Sequence, residues 1–282
     1  MNLTKKRLII YLGLSFGMAW LIFFIFIFTG HTWTSSSPEM LSLVSLGMLA
    51  PAIAHVITRK ITNEGYRFTG EKSMMLGIDL NGKKWVFFLL AMFLPVVYST
   101  LGDGILWLVF PEAFGETEFS LFVVIIYPLI SIVSGVVLSF AAFGEEFGWR
   151  GYMMPKLIEL VGMPKALIIG GIIWGLWHAP LTCVGHNFGM DYPGFPYVGI
   201  IVMCLFCTVL GTILMYVTVK TNSVWPAAFM HAVNNSSPSA MLLFTRQDVE
   251  VPMWINTLSN IPLILIAILC FSLMMKKKEQ TR

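Results

Sequence analysis

Eight apolar runs, each about as long as a bilayer is thick, decide what this chain can fold into. They lie at 8–28, 40–58, 85–110, 121–143, 165–183, 197–219, 224–244 and 254–275. At the helical rise of about 1.5 Å per residue, about twenty residues cross the hydrocarbon core of a membrane. No water reaches that core to satisfy backbone N–H and C=O groups, so each run must close its hydrogen bonds internally, as a helix does. Composition agrees: 57% of the 282 residues are hydrophobic and 12% are charged, against about 25% charged in soluble domains. The reading is an all-α, polytopic membrane protein of about eight transmembrane helices. It has no internal repeat, low-complexity segment or soluble domain, so 1–282 is a single membrane domain.

Charge sets the expected orientation. Lys5, Lys6 and Arg7 precede the first run, and Lys276, Lys277 and Lys278 follow the last. Basic clusters beside spans stay on the cytoplasmic side. Both termini are therefore expected in the cytoplasm, with an even number of crossings through a cell membrane. The connection 59–84 holds six Lys or Arg against three acids and should be cytoplasmic too. Residues 111–118, with acids and no base, and 184–196 should lie outside. The first run ends in TGHTWTSSS, a poor cleavage site, and is expected to be a retained anchor rather than a signal peptide. Basic residues at membrane borders make no nucleic-acid footprint. Cys183, Cys204, Cys207 and Cys270 sit in or at the end of apolar runs. Cys204 and Cys207 read as packing on one helix face, and no disulfide framework is implied.

An ionisable group at a helix centre costs about 2.5–3.5 kcal/mol on insertion scales, so it marks a functional site or a buried pair. The candidates are His55, Glu145, Glu146, Arg150, His178 and His231. Residues 143–152 read FGEEFGWRGY, and the next proline is Pro155. The helix is therefore expected to continue past Phe143, placing both glutamates inside the membrane at its cytoplasmic third, about 10–15 Å short of the helix end. Glu146 and Arg150, four apart, form a predicted ion pair. Glu145 has no base at that spacing and needs a partner on another span. Gly144 and Gly148, like Gly171 and Gly175, have the spacing that lets helices approach closely, and close approach of these two helices is what a contact between Glu145 and His178 would require. Asn235 follows His231 by four residues, so its amide N–H stands beside the imidazole as an oxyanion site requires. A lone histidine in an apolar span is more often a satisfied core residue. His55, standing alone, and His186, in a polar outer loop, are read as bystanders.

Glu145-Glu146-x-x-x-Arg150, Trp174-x-x-x-His178 and His231-x-x-x-Asn235, in this order on separate spans, resemble the three motifs of the CAAX protease and bacteriocin-processing (Abi) family of intramembrane endopeptidases. The resemblance covers about 121–244, the expected catalytic core spans; Trp174 stands where the family usually has Phe. It implies helices around a cytoplasm-facing cavity and hydrolysis of a peptide bond in a membrane-associated or lipidated peptide. By resemblance, Glu145 and His178 activate water, His231 and Asn235 stabilise the oxyanion, and Glu146 and Arg150 hold the site. Zinc is possible, with Glu145, His178 and His231 as ligands. No H-E-x-x-H is present, and metal-independent catalysis is the favoured expectation. The alternatives are a non-catalytic membrane scaffold or bacteriocin-immunity protein with this fold, and a proton-coupled transporter, which the lack of matching broken helices in two halves disfavours.

Overall fold

The computed structural model describes residues 2–68, 70, 73–115, 120–137, 139–246, 248–249 and 251–279. Residues 116–119, in the acidic connection, and Leu138, in the fourth run, lie outside that set. Among the described residues the regular structure is helical, apart from one isolated antiparallel bridge between Phe114 and Thr245. Helices α1 (Leu3–Phe28), α2 (Pro38–Leu46), α3 (Ala50–Ile61) and α4 (Lys84–Val109) account for the first three runs. The fourth becomes α5 (Leu121–Val137), α6 (Ser139–Gly148), a π-helical turn (Trp149–Met153) and α7 (Met154–Val161). Then come α8 (Met163–Trp177), the short α9 (Ala179–Thr182), α10 (Tyr197–Thr221), α11 (Trp225–Asn235), α12 (Met253–Leu258) and α13 (Ile261–Glu279).

Among the described residues, five segments are long and apolar enough to cross a membrane, and a sixth if the pair Phe122–Val137 and Ser139–Val161, bent by 58°, counts as one. The remaining two runs stop short for local reasons. α8 ends after 15 residues, where Pro180 has no N–H to continue the ladder. α11 ends after 11 residues at Asn235, where the Ser236 hydroxyl donates to the Val233 and Ser131 carbonyls.

The helix of Glu145 runs further than expected. Pro155 sits in the first turn of α7, where a missing N–H is harmless, and the helical path ends only at Val161. Glu145 is therefore about 24 Å from that end, counted at 1.5 Å per residue. The glycines also serve other partners than expected. A Cβ on Gly171 or Gly175 would strike Thr208 or Cys204 of α10, and one on Gly144 or Gly148 would strike the 48–49 backbone or Pro51 of α3. They seat α8 on α10 and α6 on α3, and do not bring α6 and α8 together. A spine of buried rings holds the centre instead. Trp149 and Trp177 meet edge to face at 6.1 Å, with Tyr11 against the first at 5.8 Å and Phe23 against the second at 5.1 Å. Such pairs add about 0.5–1.5 kcal/mol each beyond their buried area.

The bundle has two distinct ends. At one, Glu64 accepts from Lys156 Nζ at 2.9 Å and Tyr152 Oη at 2.9 Å, with Arg7 Nε 3.4 Å away. Thr4 Oγ1 donates to Glu159 there at 2.7 Å. Burial by itself raises the Glu64 pKa, but the Lys156 and Tyr152 hydrogen bonds and Arg59 outweigh it, and the carboxyl lies below its usual value. At the other end, Trp33 N–H donates to the Val184 carbonyl at 2.8 Å, and Arg246 N–H to that of Ala113 at 2.8 Å. A cavity of about 580 Å³ is lined from this second end, by Trp33, His186, Asn187, Ser237 and Asn260 among others. The basic N-terminal segment belongs to the first end. That segment and the cavity-lining residues named above therefore sit at different ends of the bundle.

Candidate active site

The cavity gathers Glu145 from α6, Trp174 from α8, His178 from its C-cap, and His231 and Asn235 from α11. Glu145 is buried, and its Oε2 accepts from the indole N–H of Trp174 at 2.6 Å and that of Trp149 at 3.3 Å. Trp174 thus spans the gap that the glycines do not close, and a Phe in its place would donate nothing. Trp149 reaches the same oxygen because it lies four residues after Glu145 on the helical path. His178 Nδ1 bonds the Trp174 carbonyl at 2.8 Å. A carbonyl only accepts, so Nδ1 carries the proton and Nε2 is left with a lone pair.

Glu146 and Arg150 stand behind the cavity wall. Glu146 Oε1 takes Arg150 Nη1 at 2.8 Å, the ion pair predicted from spacing, and also His231 Nδ1 at 2.9 Å. His231 therefore bonds Glu146, a partner that the spacing of the sequence did not indicate. The Arg150 guanidinium also lies 4.1 Å from the centroid of the Trp174 ring, a cation–π contact that fixes the indole from its other face. Asn235 is exposed at the cavity, and its Oδ1 accepts from Asn234 Nδ2 at 3.2 Å, which leaves the Asn235 amide donor available. Asn234 in turn accepts from the Tyr98 hydroxyl at 2.7 Å.

Three residues escaped the reading of the sequence. His186 is not in an open loop: it lines the cavity, half-buried, with its ring stacked on that of His178 at 5.9 Å and edge-on to Trp33 at 4.3 Å. Burial, then the neighbouring His178, push its pKa down to about 3, so it is neutral at physiological pH. Asp103, in the third run, lines a side cavity of about 140 Å³ with Tyr98 and Asn234. As an ionisable residue in an apolar run, it carried the same signal as the glutamates. Trp149 carried none, since a tryptophan in an apolar span is unremarkable until its N–H meets a carboxylate. His55 is buried but partnered: its Nε2 accepts from Arg59 Nε at 2.7 Å, and Nδ1 bonds the Phe147 carbonyl at 3.0 Å.

Among the described residues, no three His, Cys, Asp or Glu side chains converge as a metal-holding group. Glu145, His178 and His231 line one cavity without forming a ready zinc ligand set.

Residues 118–237 match the family described as type II CAAX prenyl endopeptidase, Rce1-like. Over 52 residues the chain is 44% identical to the CAAX prenyl protease 2 of Methanococcus maripaludis. That match spans 18% of this chain and 19% of the relative's length. The family match over 118–237 takes in Glu145, Glu146, Arg150, Trp174, His178, His231 and Asn235, so over that segment the chain is similar to the type II CAAX prenyl endopeptidases.

Proposed function

We propose that the protein is an intramembrane endopeptidase that hydrolyses a peptide bond in a membrane-associated or lipidated peptide. The observation that carries this reading is the wall of the cavity. Glu145 is pinned through Oε2 by two indole N–H donors, leaving Oε1 to take a proton from water, and His178 offers Nε2 to the same space. The water oxygen bonds to the peptide carbonyl carbon as its proton moves to Glu145, assisted by His178. His231 and the Asn235 amide hold the oxyanion. As the C–N bond breaks, the proton passes to the leaving nitrogen, and Glu145 is restored. Glu146 and Arg150 position His231 and Trp174. No step needs a metal; if zinc binds, Glu145, His178 and His231 would be its ligands, and it would polarise water or carbonyl.

The test uses purified protein in detergent and a randomised, lipid-anchored, internally quenched peptide. Glu145→Ala, His178→Ala and His231→Ala should each abolish cleavage, because groups that act as a unit do not contribute additively. Asn235→Ala should lose about 10²–10³-fold, the usual cost of one oxyanion donor. Activity of Glu145→Ala equal to that of the unmodified chain would leave the scaffold reading standing. Loss with a chelator and recovery with zinc would replace the metal-free route by the zinc one.

A further inference from the structure

The cavity and the basic residues occupy opposite ends of the bundle. Of the 18 Lys and Arg residues, all but Arg150 and Arg246 lie in the terminal segments, in 59–84, or at Lys156, Lys165 and Lys220. Contacts tie the N-terminal segment, 59–84 and Lys156 to one end: Arg7 and Lys156 meet at Glu64, Arg7 donates to Thr62, and the 224–225 turn bonds the Met75 and Leu76 carbonyls, while the 19-residue α13 carries the C-terminal lysines away from Asn260 at the cavity. The connections at the cavity end, 29–39, 110–120, 184–196 and 236–252, hold seven acids and one base, Arg246, and Arg246 is paired with Asp248. Such an excess of Lys and Arg is retained on the cytoplasmic side, the count being most telling in short connections near the spans. Here three separate basic segments, the two termini and 59–84, agree.

Depth agrees with charge. Glu145 is about 24 Å along the helical path from the basic end, at 1.5 Å per residue. Asn235, by contrast, is the last residue of α11 and borders the connection at the other end. The exposed lining residues Ser45, Asn187, Asn235 and Ser237 are uncharged and polar, and the described lining contains no Lys or Arg. Such a rim suits an extended peptide backbone, whose N–H and C=O groups want hydrogen bonds. It offers no cation to hold a free C-terminal carboxylate, which favours cleavage within a chain.

From this opposition of cavity and charge we infer that the site opens on the side away from the cytoplasm. Its substrate is then the exported stretch of a membrane-anchored or lipid-modified peptide, entering past Asn187 and Ser237. The orientation stands on charge and fold alone, while the substrate class rests on the peptidase reading above.

Two measurements separate the two. Cysteines are placed singly at Asp191, in the 184–196 connection that supplies His186 and Asn187 to the cavity, and at Asn81, at the basic end, in a Cys183→Ser background that removes the exposed native thiol. A membrane-impermeant maleimide on intact spheroplasts should label Asp191→Cys at once and Asn81→Cys only after permeabilisation. The reverse pattern overturns the inference. The quenched lipid-anchored peptide is then added to intact spheroplasts bearing the unmodified chain or Glu145→Gln. Cleavage by the former alone is expected without permeabilisation. Glu145-dependent cleavage that appears only after permeabilisation overturns the outward-facing substrate class. Absence of such cleavage even in detergent, with the labelling as expected, leaves the orientation intact and removes the peptidase reading, and with it the substrate assignment.

Discussion

Glu145 and Glu146 are adjacent in sequence yet differ in every neighbour. One lines the cavity with two indole N–H groups on a single oxygen; the other is fully buried between Arg150 and His231. Two charges in a low-dielectric interior are tolerable as a pair, and removing one member leaves the other uncompensated at a cost of about 3–5 kcal/mol. Glu146→Gln should therefore lower both thermal stability in detergent and activity. Glu145→Gln should lower activity alone. The double change Glu146→Gln with Arg150→Met removes both charges and should recover much of the stability. Melting curves of the three variants decide this: an unstable Glu145→Gln beside a stable Glu146→Gln would reverse the two assignments.

At the scale of the element, close helix approach rests on a few glycines whose partners are set by the fold. Gly148 of α6 presses against Pro51 of α3, whereas Gly13 of α1 has open space where its Cβ would be. An added methyl in a packed contact forces backbone shifts worth about 1–3 kcal/mol, while Gly to Ala on an unobstructed helix gains up to about 1 kcal/mol. Gly148→Ala should lower the melting temperature and, because Glu145 is three residues away, reduce cleavage; Gly13→Ala should do neither. Equal melting temperatures for the two variants would mean that α6 does not depend on that contact. The π-helical turn is a second device at this scale. It places Arg150 on Glu146 within the wall and Tyr152 on Glu64 at the basic end, so one short turn serves both.

Across the whole molecule, Glu64 ties the connection 62–83 to α1 through Arg7 and to α7 through Lys156. Its pKa is lower in the folded state than the usual carboxylate value, which is about 4.3 for an unperturbed Glu. The stabilisation is thus present above that value and is lost as the pH falls through the lower folded value. The difference in melting temperature between the unmodified chain and Glu64→Gln should be full at neutral pH and narrow as the pH drops below about 4. A difference that stays constant down to pH 3 would show that Glu64 is not the acid-sensitive tie.

The membrane-protein class was legible in the sequence because it follows from local physics: long apolar runs must be helices in lipid, whatever they pack against. The Glu146–Arg150 pair was legible for the same reason, since a four-residue spacing on a helix is itself a contact. The in-span costs of Glu145, His178 and His231 singled out residues that the fold does bring to one cavity. What each of them touches was not legible, because a helix presents several faces and the sequence does not say which neighbour each face meets. Only the tertiary structure gave His231 to Glu146, used the glycines for α10 and α3, and let Trp174 bridge to Glu145. Only it folded His186 back over His178 and showed that the cavity and the basic residues lie at opposite ends. Periodicity and charge act along the chain, whereas a site is made by contacts between segments far apart in it, and those are settled by packing.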